Sequence, residues 1–127
     1  MTTYLMDSDV LMDFFKKRKE AISLVTKLLT EGKIAASILS VTELRAGWTT
    51  DQARFFLPRF YRLVKVEDIN PEIAELAGKY RNEYKSKDIT IPTIDTLIAS
   101  TAILNDYQLV TRNKKDFPMP EIKFFEF

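Results

Sequence analysis

Four acidic residues, Asp7, Glu43, Asp95 and Asp116, come from distant parts of the chain but occupy comparable positions in the expected secondary structure. Asp7 and Asp116 follow short apolar segments, and Glu43 and Asp95 lie in the first turns of two expected helices. Two carboxylates about 4 Å apart repel by on the order of 4 kcal/mol at an effective dielectric of about 20. A pocket that gathers several carboxylates therefore requires raised pKa values or bound cations. Oxygen ligands of this kind suit Mg²⁺ or Mn²⁺.

The chain contains no histidine and no cysteine. Their absence excludes a Ser-His-Asp triad, a thiolate nucleophile, disulfides and cysteine-ligated metal sites. With only three glycines, the sequence also has no Gly-rich loop that could cradle a phosphate. An enzyme of this composition must rely on carboxylates, hydroxyls, Lys, Arg or a cofactor.

The length of 127 residues fits one domain, residues 1–127, and 46% hydrophobic residues are enough for a packed core. The formal net charge of +1 means that a nucleic-acid partner would need a local basic patch. The first residues carry no positive region, and no apolar run reaches the roughly 20 residues of a membrane span. We expect a cytoplasmic protein without a membrane partner.

Short apolar segments alternate with stretches of helical periodicity. The expected strands are 4–6, 34–36, 63–66, 108–110 and 122–124. The expected helices are 10–16, a helix from Glu20 to a C′ stop at Gly32, one from Ser40, one that Asp51 caps and that ends before Pro58, one from Pro71, and 94–104. This alternation predicts an α/β fold whose central, mainly parallel sheet is covered on both faces. The ligand crevice of such a sheet lies at the carboxyl ends of its strands.

Two of the acids also have structural explanations that rest on turns and caps. Asp7 could cap the helix that follows it, a role for which Asp9 and Asp13 compete. Asp116 could be an ordinary residue of a surface turn. Neither residue taken singly identifies a site.

The acids in the expected helices have structural explanations as well. Glu43 completes a capping box with Ser40. Asp95 would complement the helix dipole in a first turn. The apolar neighbours Ile94 and Ile98 suggest that this helix start is largely buried, where a carboxylate needs a partner.

Four segments of the chain resemble the PIN-domain family, and most closely its VapC-type toxins from bacterial and archaeal toxin–antitoxin pairs. In order they are Tyr-Leu-Met-Asp-Ser-Asp-Val-Leu-Met-Asp (4–13), Ser-Val-Thr-Glu-Leu-Arg-Ala-Gly (40–47), Ile-Pro-Thr-Ile-Asp-Thr-Leu-Ile-Ala-Ser (91–100) and Leu-Val-Thr-Arg-Asn-Lys-Lys-Asp-Phe (109–117). They carry the family's four acids at the positions named above and at normal separations. Asp9 is a small departure, because the family usually has Asn there.

The resemblance implies a three-layer α/β/α PIN-like fold and a divalent-metal-dependent endoribonuclease, the toxin of a VapBC-type pair. It also implies an RNA substrate, a VapB-like antitoxin and a homodimer. We expect Asp7, Glu43 and Asp95 to bind Mg²⁺ or Mn²⁺. Asp116 would hold a second ion or orient the attacking water, so that all four acids would be catalytic and metal-binding. The groups that would fix the carboxylate rotamers are Ser8, Thr111 and Asn113.

Basic and aromatic residues suggest two further surfaces. The candidates for contacts with RNA phosphates are Arg45, Arg112, Lys114 and Lys115, which could equally be solvated surface charges. An aromatic stretch is expected to pack in the core or against a partner protein; its members are Phe55, Phe56, Phe60 and Tyr61. Arginines at positions 54, 59 and 62 interleave with this stretch, so contact with RNA stays possible.

Three other functions fit parts of the pattern. A phosphoacceptor receiver domain also binds Mg²⁺ at strand ends, but it requires a Lys at a late strand end, where this chain has Thr-Arg-Asn. A non-catalytic RNA-binding or scaffold protein on a PIN fold is disfavoured by the intact acids, although only an activity assay separates the two. Structure-specific DNA nucleases of this fold tend to be longer and to carry extra acids and a helical arch.

Overall fold

A five-stranded sheet in which every pairing is parallel lies at the centre of the computed structural model, which describes residues 1–127. Its strands are β1 (Thr2–Met6), β2 (Gly32–Ser37), β3 (Lys65–Glu67), β4 (Gln108–Val110) and β5 (Lys123–Phe124). Their order across the sheet is β3-β2-β1-β4-β5, so β1 is the central strand. The carboxyl ends of β1, β2 and β4 therefore meet at one edge.

Six α-helices connect the strands. They are α1 (Ser8–Phe15), α2 (Lys19–Glu31), α3 (Ile38–Ala46), α4 (Thr50–Leu63), α5 (Pro71–Lys85) and α6 (Thr93–Asn105), and a 3-10 turn follows at Lys114–Asp116. None of the helices combines the length and the hydropathy that a membrane crossing requires.

The sheet carries helices on both faces, and alternate residues of each strand serve the two sides. Met6 and Ile34 pack with residues of α1, α2, α3 and α4, whereas Leu5 and Leu109 pack with residues of α5 and α6. Because both faces are buried, the three inner strands β1, β2 and β4 contain continuous apolar runs rather than alternating ones. The expected three-layer α/β/α fold with a central parallel sheet is confirmed.

Gly32 ends α2 at the expected position, since the helix runs to Glu31. Its φ of −178° is extended rather than left-handed, and the residue also begins β2. A Cβ atom at this position would lie 2.0 Å from the carbonyl oxygen of Thr2 on the neighbouring strand. Glycine is required here by the close approach of β1 rather than by a left-handed turn.

The close approach predicts that Gly32→Ala lowers the free energy of unfolding by about 1–3 kcal/mol, the usual cost of overpacking. Gly78→Ala in α5 is the matched control, because an added Cβ there meets no atom within 4 Å. Alanine should stabilise that helix by about 0.5–1 kcal/mol relative to glycine. Urea unfolding of both variants measures the difference. A Gly32→Ala protein as stable as its parent would show that the strands do not approach so closely.

The fourth helix corrects two further predictions. It begins after the cap residue Thr49, which forms a capping box with Gln52, so Asp51 lies in the first turn and is not the cap. It continues through Pro58 to Leu63 instead of ending before the proline, and β3 starts only at residue 65. Packing of its buried face against the sheet outweighs the hydrogen bond that the proline removes.

The aromatic stretch of α4 divides between core and surface. Phe60 is completely buried against the sheet, whereas Phe55 and Tyr61 are each 52% exposed. The stretch therefore contributes to the core and also leaves an aromatic surface on the outer side of the helix.

Candidate active site

Asp7 lies where β1 ends and α1 begins. Its backbone N–H donates to the carbonyl of Val110 on β4 at 2.9 Å, which fixes its place at the carboxyl edge of the sheet. One carboxylate oxygen caps α1 by accepting from the N–H of Ser8 at 2.9 Å, and the other accepts from the hydroxyl of Thr111 at 2.9 Å. The prediction that Asp7 caps the helix is therefore correct for one carboxylate oxygen, and the hydrogen bond from Thr111 orients the other oxygen.

Glu43 lies in the second turn of α3, and the predicted capping box is wrong. The cap of α3 is Ser37, whose hydroxyl accepts from the N–H of Leu39 at 3.1 Å. Strand β2 runs directly into the helix without a linker, so the cap falls three residues earlier than Ser40, which is buried and has no hydrogen-bond partner for its hydroxyl. Glu43 instead accepts from the hydroxyl of Ser8 at 3.0 Å.

Asp95 lies in the first turn of α6, as expected, and it is half-buried. The helix start is less buried than its apolar residues suggested, because Ile94 is 40% exposed while Ile98 is buried. Burial raises the pKa of Asp95, and the negative charges of Asp116 and Glu43 raise it further. No hydrogen bond from the chain stabilises its carboxylate.

The pKa of Asp7 rises to about 6. Burial is the main cause, and the charge of Asp9 raises it further, as does that of Asp95 to a smaller extent, while the hydrogen bonds from Thr111 and Ser8 oppose the rise. Asp95 therefore links all four predicted acids electrostatically, since its charge acts on Asp7 and the charges of Asp116 and Glu43 act on it.

The donor set of this cluster is chemically suited to a hard divalent cation, because it consists of carboxylate oxygens whose repulsion a cation would relieve. In this structure, no three acidic side chains are placed to hold one metal ion together. Asp7 and Glu43 accept hydrogen bonds from the chain, whereas the carboxylates of Asp95 and Asp116 accept none.

Asp9 is a fifth acid beside the cluster, which the sequence identified only as a competing cap and a departure from the family's Asn. One of its oxygens accepts from the N–H of Val10 at 2.6 Å. The other accepts from the side-chain amide of Asn113 at 3.0 Å and from the N–H of Arg112 at 3.3 Å. Asp9 thereby ties α1 to the segment that leads to Asp116.

Ser8, Thr111 and Asn113, the three residues predicted to orient the carboxylates of the site, do not all contact the four predicted acids. Thr111 and Ser8 donate to Asp7 and Glu43, the geometry expected of groups that hold carboxylate rotamers. Asn113 contacts Asp9 instead, and its backbone N–H donates to the hydroxyl of Thr111 at 3.1 Å.

The cations predicted to contact RNA are mostly engaged within the chain. Their partners are the carbonyl of Trp48 for Arg45, the carboxylate of Asp13 for Arg112 and the carboxylate of Glu126 for Lys114. Lys115 forms no ion pair. Of these four residues, Lys115 is the one whose charge is free for a ligand.

The chain resembles known proteins in structure along its whole length. Its fold matches that of VapBC2 from Rickettsia felis bound to a promoter DNA fragment, with a TM-score of 0.87, 24% identity and 99% of each chain covered. It also matches a toxin–antitoxin complex from Klebsiella pneumoniae, with a TM-score of 0.75, 27% identity and coverage of 98% of this chain and 99% of that chain.

Sequence relatives agree with the structural match. The chain is 34% identical to ribonuclease VapC19 of Mycobacterium tuberculosis over 116 residues, and this aligned region covers 91% of this chain and 92% of that protein. It is 34% identical over 113 residues to ribonuclease VapC1 of Methanocaldococcus jannaschii, which covers 89% and 77% respectively. Residues 4–122 match the PIN domain family. The chain therefore belongs to the PIN-domain family and, within it, to the VapC group.

Proposed function

We propose that this protein is a divalent-metal-dependent endoribonuclease and the toxin of a VapBC-type toxin–antitoxin pair. The observation that carries the proposal is the carboxylate cluster at the carboxyl edge of the sheet, whose acids come from four separate parts of the chain. The charges of Asp116 and Glu43 raise the pKa of Asp95, and the charge of Asp95 raises that of Asp7. Two relatives that are each 34% identical to this chain are named as ribonucleases. Intact acids favour this function over a non-catalytic scaffold.

Within this proposal, Asp7, Glu43 and Asp95 hold Mg²⁺ or Mn²⁺ directly or through water, and Asp116 holds a second ion or orients the attacking water. When bound, the ion supplies a water of lowered pKa and offsets charge on the phosphate, which suits a chain without histidine. One oxygen of Asp7 and one of Glu43 are already oriented by hydroxyl groups. This preorganisation reduces the reorganisation that ligand binding requires.

A VapB-like antitoxin and a second copy of this chain are the protein partners of the proposal. A groove between α1, α2 and α4 offers a surface for an apolar segment of the antitoxin; it is lined by Phe14, Phe15, Ile22, Phe55, Phe56 and Leu63, with Lys17 and Arg59 at its rim. The guanidinium of Arg59 lies 3.5 Å from the ring centre of Phe55. Exposed apolar surface beside cations suits an amphipathic segment with acidic residues.

The proposal predicts that the purified protein cleaves single-stranded RNA with Mg²⁺ or Mn²⁺ and that excess chelator stops the reaction. A Glu43→Gln variant should show little cleavage, because it keeps the side-chain shape but loses the charge that binds a cation. Glu72→Gln on α5 is the matched control and should cleave like the parent, since Glu72 is exposed and outside the cluster. Labelled RNA resolved on a denaturing gel measures all three proteins.

The same assay separates the alternatives. RNA that is bound but never cut, whichever ion is added, would indicate a scaffold. Preferential cutting of a DNA strand of matching sequence would indicate a DNA nuclease. Cleavage that persists in chelator and in Glu43→Gln, with contaminating nuclease excluded, would refute the metal mechanism.

A further inference from the structure

Arg81 and Lys85 are two cations that the proposed mechanism leaves unexplained. They lie one turn apart on α5, are exposed, and form no ion pair. Like charges at this spacing on a helix repel each other. The helix dipole favours a cation such as Lys85 in the last turn, but it does not explain Arg81 one turn earlier.

The two cations line a concave surface rather than a convex helix face. An open pocket of about 540 Å³ is bounded by α5 and by the segment that leads into α6, and its lining residues are Arg81, Asn82, Lys85, Ile89, Thr90 and Ile91. The side chains of Asn82 and Thr90 add hydrogen-bond donors to the two charges. Cations and neutral donors in one concavity are the chemistry that binds a phosphate.

Two segments of the chain connect the pocket with the carboxylate cluster. Ile91 is followed two residues later by the first residue of α6, whose first turn carries Asp95. Tyr84, which lies between the two cations in the sequence, donates its hydroxyl to the carbonyl of Pro118 at 3.0 Å, two residues beyond Asp116. The pocket is therefore lined by a segment that leads into the helix of Asp95 and by a helix that contacts the segment just after Asp116.

The charge distribution explains why a cation pair is needed at this place. A cluster of carboxylates repels a polyanionic substrate, and a net charge of +1 gives little general attraction. Three of the four cations first considered for RNA are engaged by partners within the chain. Arg81 and Lys85 form no ion pair, and the segment that lines their pocket leads to the first turn of α6, where Asp95 lies.

We infer that Arg81 and Lys85 bind a backbone phosphate of the RNA strand, next to the phosphate that is cleaved. The inference rests on the proposed ribonuclease function and deepens it by locating the bound strand over the loop between α5 and α6. Contacts to the phosphate backbone carry no base information, so this site contributes affinity and register rather than sequence preference.

The test compares an Arg81→Gln/Lys85→Gln double variant with a Lys33→Gln/Lys79→Gln control of the same net charge. Both control residues are exposed and lie outside the pocket: Lys33 is near the amino end of β2, and Lys79 forms only a loose, exposed ion pair. Binding of a mixed-sequence, fluorescently labelled single-stranded RNA is followed by anisotropy in chelator over a range of salt concentrations. Thermal unfolding of both variants verifies that each is folded.

We expect the pocket variant to bind on the order of tenfold more weakly at about 0.1 M salt, and its log–log salt slope to be shallower by about 0.7, the value for one lost phosphate contact on a single strand. The control variant should retain the slope of the parent. In cleavage assays with Mg²⁺, the pocket variant should show a raised KM with kcat little changed, because the cations contact substrate away from the reacting bond.

Any of four results would overturn the inference. If the pocket variant binds RNA like the parent while the parent cleaves RNA, the site is wrong and the proposed function stands. If both double variants weaken binding equally, general attraction rather than a site is responsible. If the parent neither binds nor cleaves RNA, the proposed function fails and the inference fails with it. Unchanged RNA affinity with weakened binding of an acidic protein segment would assign the cations to a protein partner.

Discussion

Replacing Asp95 with asparagine is expected to reduce RNA cleavage more than about 100-fold, since even the groups that orient metal ligands are typically worth about 10–100-fold. The same change should leave the metal-free protein at least as stable as its parent. Asp95 is half-buried, has no hydrogen bond from the chain, and feels the charges of Asp116 and Glu43. Removing its charge relieves that repulsion and removes no hydrogen bond.

The structural explanation of Asp95 predicts the opposite sign. If Asp95 only complemented the dipole of α6, asparagine would cost about 0.3–1 kcal/mol and would leave cleavage intact. Asp51→Asn is the matched control, because Asp51 lies in the first turn of α4 but is fully solvent-accessible and outside the cluster. It should lose a little stability and no activity.

Thermal unfolding of the parent, Asp95→Asn and Asp51→Asn, with and without Mg²⁺ at one ionic strength, measures both effects. Added ion should raise the Tm of the parent and of Asp51→Asn by mass action, and should raise that of Asp95→Asn much less. A destabilised but fully active Asp95→Asn with the parent's response to the ion would remove Asp95 from the site.

The positions of Asp7 and Asp95 show what sequence patterns can predict. Each follows from a rule about parallel sheets, namely that the carboxyl ends of strands and the starts of the following helices share one edge. Continuous apolar runs such as 34–36 identified buried strands for the same reason. The three-layer fold, and the placement of Asp7 and Asp95 at a strand end and a helix start, were therefore predictable from local signals.

Glu43 shows where such signals are insufficient. Ser40 and Glu43 have the spacing of a capping box, but the helix already begins after Ser37, because β2 runs into α3 without a linker. Where a helix starts depends on how the preceding strand pairs, and pairing is a tertiary contact. Likewise Gly32 faces the carbonyl of Thr2, a neighbour 30 positions away that no local pattern specifies.

The distribution of free charge was not predictable either. Arg112 follows β4 closely enough to be a candidate for RNA contact, yet its guanidinium pairs with Asp13 on α1. Arg81 carries no signal in the sequence that distinguishes it from other surface cations. Only the folded chain shows which cations lack a partner and lie beside the acids.

The raised pKa of Asp7 predicts an inverted pH dependence for the metal-free protein. Its folded pKa of about 6 exceeds the usual unfolded value of about 3.9, so the folded state binds more protons than the unfolded state between these values. Stability should therefore fall as pH rises from about 4 to 6, and the full penalty should be present above pH 6. At 1.36 kcal/mol per pKa unit, the penalty is roughly 3 kcal/mol at neutral pH. Asp9 and Asp95, whose pKa values are also raised, act in the same direction.

Urea unfolding of the metal-free protein between pH 4.5 and 7.5 (about the range in which Asp7 titrates) measures this slope. Asp7→Asn should reduce the slope and should be more stable than the parent at neutral pH, because asparagine caps a helix as well as aspartate does. Asp88→Asn is the control: Asp88 is exposed, has a φ of 60° that asparagine tolerates, and should keep the parent's slope. Saturating Mg²⁺ should reverse the slope, since a cation favours the ionised carboxylate. Metal-free stability that rises with pH, equally in the parent and in Asp7→Asn, would mean that Asp7 is solvated and is not part of a repelling cluster.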